Sequence, residues 1–213
     1  MTDALAASVQ EVAAPWADSD YYRLAEQWTD IFWNHDGPFR PLYDQLDIRA
    51  VIELAVGYGR HAERAAPHCG TLIVMDVIAY NVKICRLRLQ KMANVGYVVN
   101  NGFDYQPVPD GAVTGIYCYD AMVHFSPDLV EAYLADTFRV LKPGGRALFH
   151  HSNYLAPDDR HYGQNPHARN SMSQDLFGGL AGKAGLIVRH SDVIPWTGVA
   201  ALDGVTLVEK PAA

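Results

Sequence analysis

The stretch VIELAVGYGR (51–60), followed by TLIVMDV (71–77), decides how this chain folds. Residues 50–55 form a short apolar run that ends at glycines, the pattern of a buried strand. Gly57 and Gly59, two residues apart, let the backbone turn tightly and approach a ligand without a Cβ in the way. Residues 59–68 then read as a helix and 71–77 as a second buried strand closed by Asp76. Strand, glycine turn, helix, strand and acid in that order make a βαβ unit of a parallel sheet. Such sheets bind ligands outside the carboxyl ends of their strands, where a carboxylate can accept hydrogen bonds from vicinal ribose hydroxyls. The stretch departs from the full dinucleotide fingerprint, because Ala62 stands three residues after Gly59.

Working outward, the alternation continues. Residues 79–93 read as a helix, 95–100 and 115–120 as strands, 127–145 as a helix closed by Pro and Gly, and 146–153 as a fifth strand. Residues 171–184 are helical, and 186–193 and 204–210 give two last strands, paired antiparallel at one edge and joined by a long connection without helical pattern. The expected class is therefore α/β: a Rossmann-like three-layer sandwich with a seven-stranded, mostly parallel sheet and one antiparallel strand on the edge side. One domain is expected over residues 1–213. Residues 1–47 form its helical cap, in which 1–18 fray or attach loosely and 19–35 are one helix. The polar segment 153–177 forms a lid loop.

Composition narrows the function classes. Lys+Arg number 17 and Asp+Glu 24, for a net charge of −7. Such an acidic chain is ill suited to gripping nucleic acid through phosphates or to lying on anionic membranes. Arg86, Arg88 and Lys91 read as a solvated helix face. No apolar run reaches the roughly 20 residues of a membrane span. The N-terminus lacks the basic and apolar regions of a secretory signal. Three cysteines without a CxxC pair read as reduced thiols, so a cytoplasmic location is expected.

In order along the chain, VIELAVGYGR, VMDV (74–77), VNNGFDYQPVPDG (99–111), YCYDAMVHF (117–125) and RVLKPGGRALF (139–149) resemble the motifs of class I S-adenosylmethionine-dependent methyltransferases. The resemblance covers roughly residues 50–150. Ala55 stands where the family pattern has its first glycine. The resemblance implies S-adenosyl-L-methionine as cofactor. Glu53, Ala55, Gly57 and the Gly59 turn would lie under its methionine part, Asp76 at the ribose, Asn101, Gly102 and Phe103 near the adenine, and Tyr119 at the methionyl end. YDAMVHF with HHSNY (150–154) and ARNSMS (168–173) further resemble small bacterial O-methyltransferases acting on sugars or other polyhydroxylated acceptors.

Methyl transfer to an aliphatic hydroxyl benefits from a base that takes its proton, whereas a neutral amine needs none. Bases gather at the expected strand ends: Asp120 and His124 after the fourth strand, His150 and His151 on the fifth. His151 or His124 is expected as the base, with Asp120 orienting it or binding a hydroxyl. Strand alternation sends His150 and His151 to opposite faces. In a competing arrangement Asp120 and groups of HHSN hold a divalent metal. Magnesium is not favoured, because it prefers oxygen ligands and His151 replaces an expected carboxylate. Tyr22 and Trp33 of the cap, with Asn153, Tyr154, His167 and Arg169 of the lid, are expected to contact the substrate. Asp158 and Asp159 add further hydroxyl-binding candidates. The expected partner is a small hydroxylated molecule. A phenol or amine acceptor, a non-catalytic cofactor-binding protein and a homodimer stay open.

Overall fold

The computed structural model describes residues 2–17, 19–157 and 160–212. Seven strands form one sheet: β1 (Ala50–Leu54), β2 (Thr71–Asp76), β3 (Val95–Val99), β4 (Val113–Cys118), β5 (Leu141–Ser152), β6 (Ile187–Trp196) and β7 (Val199–Glu209). Their order is β3-β2-β1-β4-β5-β7-β6. β1 to β5 pair in parallel, and β7 runs antiparallel to both β5 and β6. The α/β class with one antiparallel strand is therefore the one the alternating pattern implies.

Neighbouring residues on each strand face different cores. Val51, Val74, Tyr117 and Leu148 pack with Ala62 and Ala65 of α5 (Arg60–Ala65) and Cys85 of α6 (Ala79–Arg88). Phe32, Phe39 and Leu42 of the cap complete that layer. Ile52, Met75, Ile116 and Phe149 pack on the other side against α7 (Pro127–Val140) and α8 (Gln174–Lys183). Ser126 and Ser173 cap these two helices by accepting from the amides of Leu129 and Leu176.

Four local expectations change. Residues 2–13 are not loose: α1 (Thr2–Ala13) buries Val9 and Val12 against Leu129 and Tyr162, and Ser8 Oγ meets Ser126 Oγ at 2.8 Å. Burying each such side chain is worth roughly 1.5–3 kcal/mol, enough to dock a helix that propensity alone leaves marginal. Residues 19–35 are not one helix. α2 (Tyr21–Leu24) and α3 (Thr29–Trp33) flank a 3₁₀ turn, where the Thr29 hydroxyl donates to the Glu26 carbonyl at 2.9 Å. The short α4 (Arg40–Tyr43) follows. α7 stops at Val140 and β5 starts directly after it. Finally, β6 and β7 are longer than expected and meet in a tight hairpin at Thr197 and Gly198, both with positive φ (45° and 86°), the geometry of a two-residue hairpin turn. Among the described residues no helix is long and apolar enough to cross a membrane. All three cysteines are buried and free.

Candidate active site

The carboxyl ends of β1, β2 and β4 open onto a cleft roofed by the cap. The glycine loop builds its floor. Ala55 adopts φ 57° and Gly57 φ 55°, so the loop turns through two left-handed positions on either side of Val56. That conformation is unusual for alanine and holds here only because its surroundings enforce it. A Cβ on Gly57 would stand 3.0 Å from the Tyr22 ring, which lies over the loop and stacks on Tyr58 at 4.7 Å.

Asp76 is buried beside this loop. Its carboxylate accepts from the amides of Gly57 (2.9 Å) and Ile78 (2.8 Å) and from Asn81 Nδ2 (3.3 Å). Burial raises its pKa and these bonds oppose the rise. A carboxylate offers about four acceptor positions, so capacity remains for a ligand hydroxyl. Glu53, deeper in the cleft, receives the Tyr117 hydroxyl. Burial pushes its carboxyl up to about 8, against the pull of that bond and of Arg60. In the absence of a cationic partner, burial therefore favours the protonated form of Glu53.

At the other end stand Asp120 and His124, both lining the cleft. Asp120 takes a left-handed conformation (φ 53°) directly after β4. One carboxylate oxygen accepts from the Tyr21 hydroxyl and lies 3.7 Å from Arg60, and the other lies 3.7 Å from Arg169. His124 is buried under Trp16, ring centroids 4.7 Å apart. Its Nδ1 lies 2.8 Å from the Ala168 carbonyl, so it carries the proton and leaves Nε2 as the lone-pair nitrogen. Burial lowers the pKa of His124 to about 4, and the bond to Ala168 offsets part of that shift.

Several expected site residues lie elsewhere. His151 does not line the cleft and lies on the α8 side of the sheet. It stacks on Phe177 (4.0 Å, 6°) and bonds Thr206 Oγ1 at 2.9 Å and the Ser152 carbonyl at 2.8 Å. His150 takes the cap-side face, as Leu148 does, with its ring beside Phe39 and Tyr119. Gly59 does not line the cleft. It starts α5 with φ 82°, and a Cβ there would stand 2.7 Å from Cys85 Sγ, so its role is close helix packing. Asn101 is exposed and makes a turn by accepting from the amides of Phe103 and Asp104; its neighbour Asn100 lines the cleft instead. Gly102 lines it, while Phe103 packs against the α1 cluster.

Among the substrate candidates within the described residues, only Tyr22 reaches the cleft. Trp33 donates to His61 Nδ1 at 3.1 Å, Asn153 ties Ala201 to the start of α8, and Tyr154 bridges to Ser171. His167 bonds Thr197 at the hairpin turn, and Arg169 is buried against Asp203. Asp158 and Asp159 lie outside the described residues. Among the described residues no three His, Cys, Asp or Glu side chains converge as metal ligands. Trp16, Arg60 and the α1 residues Val9 and Val12 also line the cleft, although none of them is among the expected site residues. The i, i+3 spacing of the two valines was the available signal.

Comparison with known proteins adds to this geometry. Residues 51–145 match the family described as a methyltransferase domain. Nodulation protein S of Rhizobium tropici is 28% identical over 144 residues, which cover 61% of this chain and 59% of that protein. The chain thus spans about three-fifths of that relative's length. A chain of the Haloferax volcanii complex between the Trm112 methyltransferase activator and a methyltransferase superposes with a TM-score of 0.68 at 19% identity, over 92% of this chain and 96% of that one. The geranyl diphosphate C-methyltransferase of Streptomyces coelicolor, solved with S-adenosyl-L-homocysteine, superposes at 0.65 with 16% identity, over 89% and 80%. The fold is that of these methyltransferases, and the ligand to set against the cleft is S-adenosylmethionine, whose demethylated product the Streptomyces structure holds. The cleft fits it: a left-handed loop for close approach, a buried carboxylate with spare acceptor capacity, and a second buried carboxyl poised to ionise beside a cation.

Proposed function

We propose that this chain transfers the methyl group of S-adenosylmethionine to a hydroxyl of a small polyhydroxylated acceptor, a sugar or glycoside, held between the cap and the Asp120–His124 rim. When bound, the cofactor supplies a methyl group already activated on a sulfonium, so alignment contributes much of the acceleration. Gly57, Asp76 and Glu53 bind and orient it. Asp120 receives a hydroxyl of the acceptor. His124 Nε2 takes the proton of the attacking oxygen as the oxygen–carbon bond forms and the carbon–sulfur bond breaks, its electron pair returning to sulfur.

The single observation that carries this reading is the 2.8 Å contact between His124 Nδ1 and the Ala168 carbonyl. The Ala168 carbonyl holds the proton on Nδ1, and the lowered pKa keeps the ring neutral throughout the physiological range. A weak base suffices, because the hydroxyl proton becomes acidic only as its oxygen is alkylated. A second reading, transfer to an amine, is favoured by the Asp120 carboxylate, which can pair with an ammonium group.

The test is transfer of labelled methyl to a panel of sugars, phenols and amines, by the wild type and His124→Gln, with and without EDTA. Transfer to a sugar that falls tenfold or more in the variant supports the base. Transfer to amines that survives the substitution moves the conclusion to the second reading. Loss with EDTA and rescue by Mg²⁺ would replace the histidine base with a metal. Tight cofactor binding without any transfer would mark a binding protein.

A further inference from the structure

Behind the acceptor end of the cleft lies a buried ring of polar groups that the reading above leaves without a role. Asp203 of β7 is fully buried and makes three hydrogen bonds. It accepts from Arg169 Nε at 2.8 Å and Nη2 at 2.6 Å, a two-pronged grip, and from His150 Nε2 at 2.8 Å. His150 Nδ1 in turn accepts from the backbone amide of Asp120 at 3.1 Å. Arg169 Nη2 lies 3.7 Å from the Asp120 carboxylate. Trp196 covers the ring, its centroid 4.8 Å from that of His150 and 5.8 Å from the Arg169 guanidinium.

Two consequences follow. An amide N–H donating to Nδ1 requires that nitrogen to be unprotonated, so the proton of neutral His150 sits on Nε2, where Asp203 accepts it. Asp203 therefore selects the tautomer that can hold the Asp120 amide. That amide belongs to a non-glycine residue in the left-handed region, a conformation that persists only where its surroundings impose it. Through Arg169, the same carboxylate also sets the cation facing the Asp120 side chain. Burial alone would raise the pKa of Asp203, yet the bonds from His150 and Arg169 carry it down to about 2, so it is charged at every physiological pH.

We infer that Asp203 is the positioning residue of the acceptor end, fixing the backbone of Asp120 through His150 and its carboxylate through Arg169. The inference rests on the proposed function only in taking Asp120 as the acceptor-binding group. The geometry behind it is independent of the acceptor. It also gives the antiparallel strand a part in the site, since Asp203 lies opposite Ser152 at the carboxyl end of β5.

The experiment uses the full chain with Asp203→Asn, which keeps the volume, and Arg169→Lys, which keeps the charge but loses the fork. Nitrogen-15 NMR reads the His150 tautomer, and hydrogen exchange reads the Asp120 amide. The wild type should show Nε2 protonated and a slowly exchanging Asp120 amide. In Asp203→Asn that amide should exchange at least tenfold faster and the tautomer should become mixed. With an acceptor in hand, kcat/KM for it should fall at least tenfold in both variants. Affinity for S-adenosylhomocysteine should stay within twofold. An unmoved tautomer and amide in a folded Asp203→Asn would overturn the inference whatever the acceptor proves to be. Equal losses of acceptor turnover and S-adenosylhomocysteine affinity would overturn it too, by making Asp203 a general structural residue. Absence of turnover in the wild type would strike the proposed function and leave the NMR result to decide this one.

Discussion

The two ends of the cleft are built differently. The end proposed for the cofactor draws Glu53, Ala55, Gly57 and Asp76 from one βαβ unit, and the bonds that shape it, from the Gly57 and Ile78 amides to Asp76, span 19 and 2 residues. The end proposed for the acceptor assembles Tyr21, Asp120, His124, His150, Arg169 and Asp203 from the cap, the segment after β4, strands β5 and β7, and the lid. The first is backbone cradle and buried carboxyl, a design that suits one invariant ligand. The second is a network of charged and neutral side chains on separately variable segments, which lets acceptor chemistry change while the sheet stays.

If the ends are separable, substitutions should divide between them. Asp120→Asn should give the largest effect, a loss of about 10²–10³ in kcat/KM for the acceptor identified in the panel, measured by steady-state transfer. His124→Gln should lower kcat by about 10–10², a smaller loss because alignment remains. In the wild type the acid limb of the kcat/KM profile should lie near pH 4 rather than 6.5, since activity needs neutral His124. The limb should vanish in the variant.

A subtler signal belongs to the cofactor end. Glu53, with a pKa near 8, is protonated in the free protein at pH 7 and should ionise against the cofactor's ammonium group. Binding should release up to about one proton, read by calorimetry in buffers of different ionisation enthalpy. No proton release would remove Glu53 from the methionine end.

The smallest effect on turnover is expected at His151→Leu, within twofold, because the ring faces Phe177 and not the cleft. Its signature is in stability. Folded His151 titrates near 4, below the usual value of about 6.5, so between those values the unfolded chain binds more protons. Stability therefore falls as pH drops from about 6.5 to 4. The substitution should flatten that slope in urea titrations while costing about 1–2 kcal/mol at pH 7 from lost hydrogen bonds.

This division also explains what could be read from the chain. Gly57 and Asp76 stood out because their relation is local: a strand, a turn and a strand end in fixed order. The seven-stranded sheet followed from the same alternation. The choice between His150 and His151 did not, although alternation required them to part. β5 is buried on both faces, with Leu148 toward the cap and Phe149 toward α7, so no polar side marks the phase. Asp203 lies 34 residues from Arg169 and 53 from His150 and looked like any acid in a strand. Arg169 reads as a substrate contact in the sequence because nothing local marks its buried partner. The docking of α1 is hidden for the same reason: Val9 and Val12 gain meaning only against Leu129 and Tyr162.

The most direct test of two separable ends is calorimetric titration of S-adenosylhomocysteine into Asp76→Ala and Asp120→Asn side by side. Asp76→Ala should lose about 10²-fold or more in affinity, because a ligand contact goes and the Gly57 and Ile78 amides lose their partner. Asp120→Asn should bind within about twofold of the wild type. Equal losses in the two variants, or unchanged affinity in Asp76→Ala, would contradict the account.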